Sequence, residues 1–277
     1  NGKNYVQDHP EAWAINEKGE KVEAASWFMG VCPTDPGFKN YRRGQLRQLL
    51  SNYPLDGVWL DYVHWHAQFE TPDPILPETC FCDRCINTFS NHAGIQVDGE
   101  NTRDQAQLIL NFHEGSWRDW RCQVILEWVK EMKVVVKELR PQALLGLFHC
   151  PWDDNDFEGA RRRILGLDYD DLLEVVDVFS PMVYHAKMGR SPEWVEKNIE
   201  WFSDRLMKAS SQEVKIWPIV QAHDDPYKMS ASEFEAVMQN GLTGSATGVM
   251  MFTSYAVAED SAKTETMKQL YQSIKSP

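Results

Sequence analysis

The feature that most constrains this chain is an alternation that begins near residue 40. Short apolar runs recur between longer stretches that carry apolar residues at three-to-four spacing. The runs are GVWLDY (57–62), ALLGLFHC (143–150), DVFSPMVYH (177–185), VKIWPIVQA (214–222) and ATGVMMFTSY (246–255). Each is too short for a globular helix and is bounded by helical patterns, which is how βα units around a parallel sheet read. YRRGQLRQLLSN precedes the first run and WRDWRCQVILEWVKEMKVVVKELR the second, while SPEWVEKNIEWFSDRLMKAS, SASEFEAVMQN and ETMKQLYQSIK follow the later ones. Pro141 stops the long helix, and Ser191-Pro192 and the SASE of 230–233 mark helix starts. Because βαβ crossovers are right-handed, the five runs are expected to be parallel neighbours in chain order. Antiparallel pairing between any two of them would exclude the arrangement.

Five units fall short of the eight that a closed barrel needs. The first fifty residues hold HPEAWAINEKGEKV, a loop-like stretch with one short hairpin and no three strands. The expected fold is therefore an α/β, (β/α)8 TIM barrel lacking its first three βα units, so that the runs are strands four to eight; an open sheet is the alternative. At 277 residues and 43% hydrophobic content the chain can bury one large core, and residues 1–277 read as a single domain.

A net charge of −13, from 41 acidic against 28 basic residues, presents the wrong field to a polyanion, so nucleic acid is not an expected partner. No apolar run approaches the roughly 18 to 20 residues of a membrane helix, and the amino terminus NGKNYVQDHPEAW lacks a signal peptide's apolar core. The expectation is a soluble, mature chain with no membrane partner. No motif sets an oligomeric state or calls for an organic cofactor.

Polar groups gather where the runs end. Asp61, His64 and His66 follow the first, His149 with Asp153 and Asp154 the second, His185 the third, and His223 with Asp224 and Asp225 the fourth. In parallel barrels the carboxyl ends of the strands hold the active site, because the βα loops converge there. Asp61 follows three consecutive apolar residues, so its carboxylate should emerge from the barrel wall partly desolvated. It either carries chemistry or satisfies neighbouring loop amides. Glycoside hydrolysis needs two carboxyl groups, one to protonate the leaving oxygen and one to attack or activate water. Asp153 and Asp154 are the candidates for the second group, with Asp224 and Asp225 in reserve.

Cys80, Cys82 and Cys85 form a CxCxxC cluster, and Cys32 lies 48 positions before it. Thiolates so spaced can wrap one structural Zn²⁺, while a disulfide from Cys32 or reduced thiols are the alternatives. Cys122 reads as core, and Cys150 as pocket wall.

HPEAWAINEKG, CPTDP, YPLDGVWLDY and CFCDRC, in that order, resemble TIM-barrel glycoside hydrolases related to the α-amylase and family 42 β-galactosidase groups. The resemblance is best over residues 8–90. It implies that the HPEAW segment follows strand three and that 57–62 is strand four. It also implies that Asp61 aligns with the nucleophilic Asp of amylase-like barrels, and that the cysteine cluster corresponds to the structural zinc site of family 42. Family 42 places Glu on strands four and seven, whereas strand seven here ends in Gln221. The departure argues against a β-galactosidase mechanism and leaves the acid unassigned.

The leading expectation is a glycoside hydrolase acting on an oligo- or polysaccharide, with Asp61 as nucleophile or essential carboxylate; a polysaccharide substrate favours a secreted or periplasmic location. Tyr62, Trp65, Trp152, Tyr184 and Tyr255 would contact sugar rings, and His64, His66, His149, His185, His223 and Gln221 would position hydroxyls. One rival is a metal-dependent hydrolase using the imidazoles and Asp61 as ligands. Another is a sugar-binding barrel without catalysis, favoured if no second carboxylate comes near Asp61.

Overall fold

The computed structural model describes residues 2–24, 28–209 and 213–275. Six strands form one parallel sheet: β1 (Gly57–Leu60), β2 (Leu144–His149), β3 (Val178–Val183), β4 (Lys215–Ile216), β5 (Ile219–Gln221) and β6 (Met250–Phe252). Every pairing is parallel, and the order across the sheet is the chain order. The run at 214–222, expected as one strand, divides into β4 and β5, both paired with β3. Pro218 interrupts it because it has no N–H to place in the ladder. Trp217 N still donates to Phe179 O at 2.9 Å, and Pro218 O accepts from Met250 N at 2.8 Å.

The sheet is open, with β1 and β6 at its edges. It is also curled into a half-barrel. Trp59 of β1 stacks on Trp217, with ring centroids 5.8 Å apart, although β2 and β3 lie between them. In a flat sheet three strand spacings would hold these positions about 14 Å apart. Trp59 also donates its Nε1–H to Ser180 Oγ of β3 at 3.0 Å. Its ring lies over Gly146 of β2, where a Cβ would come within 2.2 Å of it. A glycine is required there because the indole occupies the space of any side chain.

Helices cover the convex side. The Glu114–Leu139 helix buries Trp117, Trp120, Ile125, Val129 and Val136, and the Pro36–Asn52 helix packs along it. Outward-facing strand residues Leu145, Leu147, Phe179, Val183 and Val220 meet this layer, all fully buried. Three helices, Asp83–Ala93, Thr102–Phe112 and Glu114–Leu139, separate β1 from β2. The first fifty residues supply no strand to the sheet among the described residues. They hold isolated antiparallel bridges, Ile15 with Lys21 and Trp13 with Val31, so the expected hairpin is present.

Candidate active site

Asp61 follows β1 directly, at the carboxyl end of the strand and beside the free edge of the sheet. Tyr62 turns the chain with a left-handed φ of 55° and donates its N–H to Asp61 Oδ1 at 2.9 Å. The carboxyl group lines a cavity of about 640 Å³ whose walls include Tyr41 and Arg42 of the Pro36–Asn52 helix, Trp128 and His64. Asp61 remains exposed to solvent, while the cavity walls crowd it on one side and remove part of its hydration. That desolvation raises its pKa to about 6; the Tyr62 N–H opposes the rise, the negative charge of Glu70 adds to it, and Arg42 offsets part.

Glu70 is a buried carboxylate that sequence reasoning did not single out. Gln68 and Ile75 exchange backbone hydrogen bonds of 3.0 and 2.9 Å, closing a small hairpin after β1. Glu70 sits within it, 8% exposed, and pairs with Lys187 of the loop after β3 at 3.4 Å. Lys187 in turn donates its backbone N–H to Gln221 Oε1 of β5 at 3.0 Å. Tyr184, at the end of β3, is buried against Phe252; burial raises its pKa, and the charges of Glu70 and Asp61 raise it further. The charges of Asp61 and Glu70 both raise the pKa of Tyr62 and of Tyr184, although Glu70 and Tyr184 lie outside the lining of the Asp61 cavity. The sequence signal for Glu70 was slight: an acid directly after Phe69 in a turn bounded by Pro72 and Pro74.

The other predicted residues go elsewhere. Asp153 accepts the N–H groups of Asn155 and Asp156 at 2.7 and 3.0 Å, closing its own turn. Asp154 pairs with Arg161 at 2.6 Å and with Arg205. Both aspartates line a separate cleft with Arg118 and Arg162, apart from the cavity that holds Asp61. Asp224 pairs with the buried Lys263 at 2.8 Å. Trp65 is core: it packs on Trp120 and donates Nε1–H to Arg121 O at 3.1 Å. Trp152 is buried between Phe69 and Phe157. His149 points out of the half-barrel into a ring of Tyr169, Phe179 and Phe202. Tyr255 is exposed at the start of the Ser254–Ala258 helix.

The remaining polar candidates latch loops. His64 bonds Trp65 O through Nδ1 at 2.6 Å on the cavity wall, and His66 Nδ1 accepts Gly30 N–H at 2.9 Å. Burial lowers both to a pKa of about 4, so both are neutral imidazoles. His185 Nε2 meets Glu233 at 2.9 Å, and His223 Nδ1 meets Phe252 O at 3.0 Å. Gln221 is fully buried; its amide reaches His223 O and Asp225 O while its oxygen holds Lys187 N. Each imidazole has its own protein partner, and among the described residues the four cysteines alone form a group able to hold a metal.

Cys32, Cys80, Cys82 and Cys85 bring their sulfurs within 4.8 Å of one another. Cys32 Sγ lies 3.4 Å from Cys85 Sγ and 3.9 Å from Cys82 Sγ. Those values far exceed a disulfide bond of about 2.05 Å. They match the edge of about 3.8 Å expected for a sulfur tetrahedron with Zn–S bonds near 2.3 Å. Ile15 N–H points at Cys80 Sγ at 3.3 Å, and hydrogen bonds from the neighbouring thiols hold the Cys32 thiol well below its ordinary pKa. The set fits one closed ion site. None of the four lines the cavity that holds Asp61.

Comparison with known proteins locates the fold. No family model matches the chain, and no curated protein does. Solved structures do match. The PgaB (BpsB) glycoside hydrolase domain from Bordetella bronchiseptica superposes with a TM-score of 0.66 at 10% identity, over 92% of this chain and 68% of that one. A β-galactosidase from the psychrophilic Marinomonas ef1 gives 0.61 at 12%, over 90% and 42%. A family 42 β-galactosidase from G. stearothermophilus gives 0.61 at 14%, over 95% and 43%. At these identities the likeness is one of fold, shared with several glycoside hydrolases. The chain spans about two-fifths of the length of the β-galactosidases.

Proposed function

We propose that the chain is a glycoside hydrolase acting on an oligo- or polysaccharide, with Asp61 as its essential carboxyl group. The observation that carries this reading is the position of Asp61: at the carboxyl end of a parallel strand, on a cavity large enough for a sugar ring, and held above its ordinary pKa by desolvation. The match to glycoside hydrolase folds supports it. Tyr62, on the cavity wall, offers a ring face and a hydroxyl next to Asp61. The free edge of β1 supports reading the half-barrel as strands four to eight of an eight-stranded barrel. Cys32, Cys80, Cys82 and Cys85 hold a structural zinc that braces the loop after β1, away from substrate.

The test is a screen of oligosaccharides for new reducing ends with wild type and Asp61→Asn, each with and without chelator. Turnover lost in the variant and kept with chelator agrees with the proposal. Turnover that survives in the variant but vanishes with chelator would transfer the chemistry to a metal.

A further inference from the structure

We infer that the turn 32–35 couples the cysteine site to the wall of the Asp61 cavity, so that zinc retention and the order of that wall depend on each other. This inference rests on the zinc reading above, not on hydrolysis, and gives the site a second role. In the sequence Cys-Pro-Thr-Asp, Asp35 N–H donates to Cys32 O at 3.0 Å, closing a four-residue turn whose second position is Pro33, with its fixed φ. The four residues form one stiff piece, with sulfur at one end and the cavity at the other.

At the sulfur end Cys32 is fully buried, and Thr34 Oγ1 lies 3.2 Å from both Cys32 Sγ and Cys85 Sγ. Arg84 donates its Nε–H to the same oxygen at 3.1 Å, which turns the hydroxyl proton toward a thiolate. Arg84 also pairs with Asp35 at 3.3 Å, so a residue between two ligands of the cluster grips the far end of the turn. At the cavity end Pro33 lines the wall, and its carbonyl accepts the Trp128 Nε1–H at 2.7 Å. Asp35, 3% exposed, caps the Pro36–Asn52 helix by accepting the Phe38 N–H at 2.8 Å. Phe38 and Trp128 are themselves wall residues, with ring centroids 5.9 Å apart. Cys80, Cys82 and Cys85 come from one short segment, so the site opens by lifting the Cys32 arm. Lifting it strains the Trp128 bond and the helix cap, and loosening either of these frees the arm. Linkage makes the coupling act in both directions.

The experiment follows zinc release from the zinc-loaded full chain into an excess of a chelating dye, with elemental analysis first and thermal unfolding as the folding control. Trp128→Phe removes the bond to Pro33 O at the cavity end, and Asp35→Ala removes the helix cap. Each should release zinc at least about fivefold faster than wild type, while Tyr169→Phe, which loses a buried bond to Phe202 O elsewhere, should stay within about twofold. In the other direction, Cys32→Ser should speed deuterium exchange in the first turn of the Pro36–Asn52 helix at least about fivefold more than in the Ala231–Asn240 helix. Should Cys32→Ser fail to fold, Thr34→Val keeps all four sulfurs and should show both effects. A folded Trp128→Phe or Asp35→Ala within about twofold of wild type overturns the coupling and leaves the zinc site standing. Tyr169→Phe as fast as either overturns it too, since release would then track overall stability. Exchange that rises equally in both helices does the same. A chain that holds no zinc removes the zinc reading, and the coupling with it.

Discussion

Replacing Asp61 by Asn should make the protein more stable while removing its activity. Asn keeps the shape and can still accept the Tyr62 N–H, but it carries no charge for the cavity walls to desolvate. In the folded state the Asp61 pKa rises from 3.8 to about 6, so the native chain binds this proton more tightly than the unfolded chain does. Wild-type stability therefore falls as pH rises from about 4 to about 6 and stays lowered above that. At 1.36 kcal/mol for each tenfold change in proton affinity, the full shift corresponds to roughly 3 kcal/mol. Asp61 is reached by solvent, which screens the effect, and about 1–2 kcal/mol is a realistic residue of it. For a chain of this size that is a rise in Tm of roughly 2–6 °C. Thermal unfolding by circular dichroism at pH 7.5 and at pH 4 measures it: the variant should melt higher at 7.5, and the gap should close at 4. Equal melting at pH 7.5, or a gap that does not depend on pH, would refute the reasoning.

Three further outcomes follow from the same geometry. Elemental analysis should find one zinc per chain, and Cys85→Ser should lose it together with roughly 4 kcal/mol of stability. Gly146→Ala should cost about 1–3 kcal/mol, because its Cβ would stand 2.2 Å from the Trp59 ring; Trp59→Phe in the same chain should recover part of this, a coupling that a double-mutant cycle on Tm would reveal. Activity should change as pH crosses about 6, where the Asp61 carboxyl ionises, and any residual turnover of Asp61→Asn should lack that change.

The strands could be read because each is a short apolar run between helical patterns, and their order could be read because right-handed crossovers leave little freedom. Asp61 was legible for a related reason: a carboxylate directly after Val58, Trp59 and Leu60 must leave the sheet at its end. His149 was misleading. It ends its strand as Asp61 does, but Gly146 faces the concave side, so residue 149 has the opposite parity and enters the helix layer. Which parity faces inward depends on where Trp59 lies, and that is a tertiary fact. Glu70 was out of reach because its partner, Lys187, is 117 residues away, and nothing local says that the hairpin folds back over the sheet. The cysteine cluster is legible in its spacing, since three thiols within six residues have to converge. The break at Pro218 was legible too, had the missing N–H been weighed against the apolar run around it.

The central claim is that this cavity hydrolyses a glycosidic bond through Asp61, and the most direct measurement is isotopic. An oligosaccharide substrate found in the screen is incubated in H₂¹⁸O with wild type and, separately, with Asp61→Asn, and the products are weighed by mass spectrometry. The account predicts one ¹⁸O at each new reducing end with wild type and no new labelled ends with the variant. Labelled product formed equally by both proteins would contradict it.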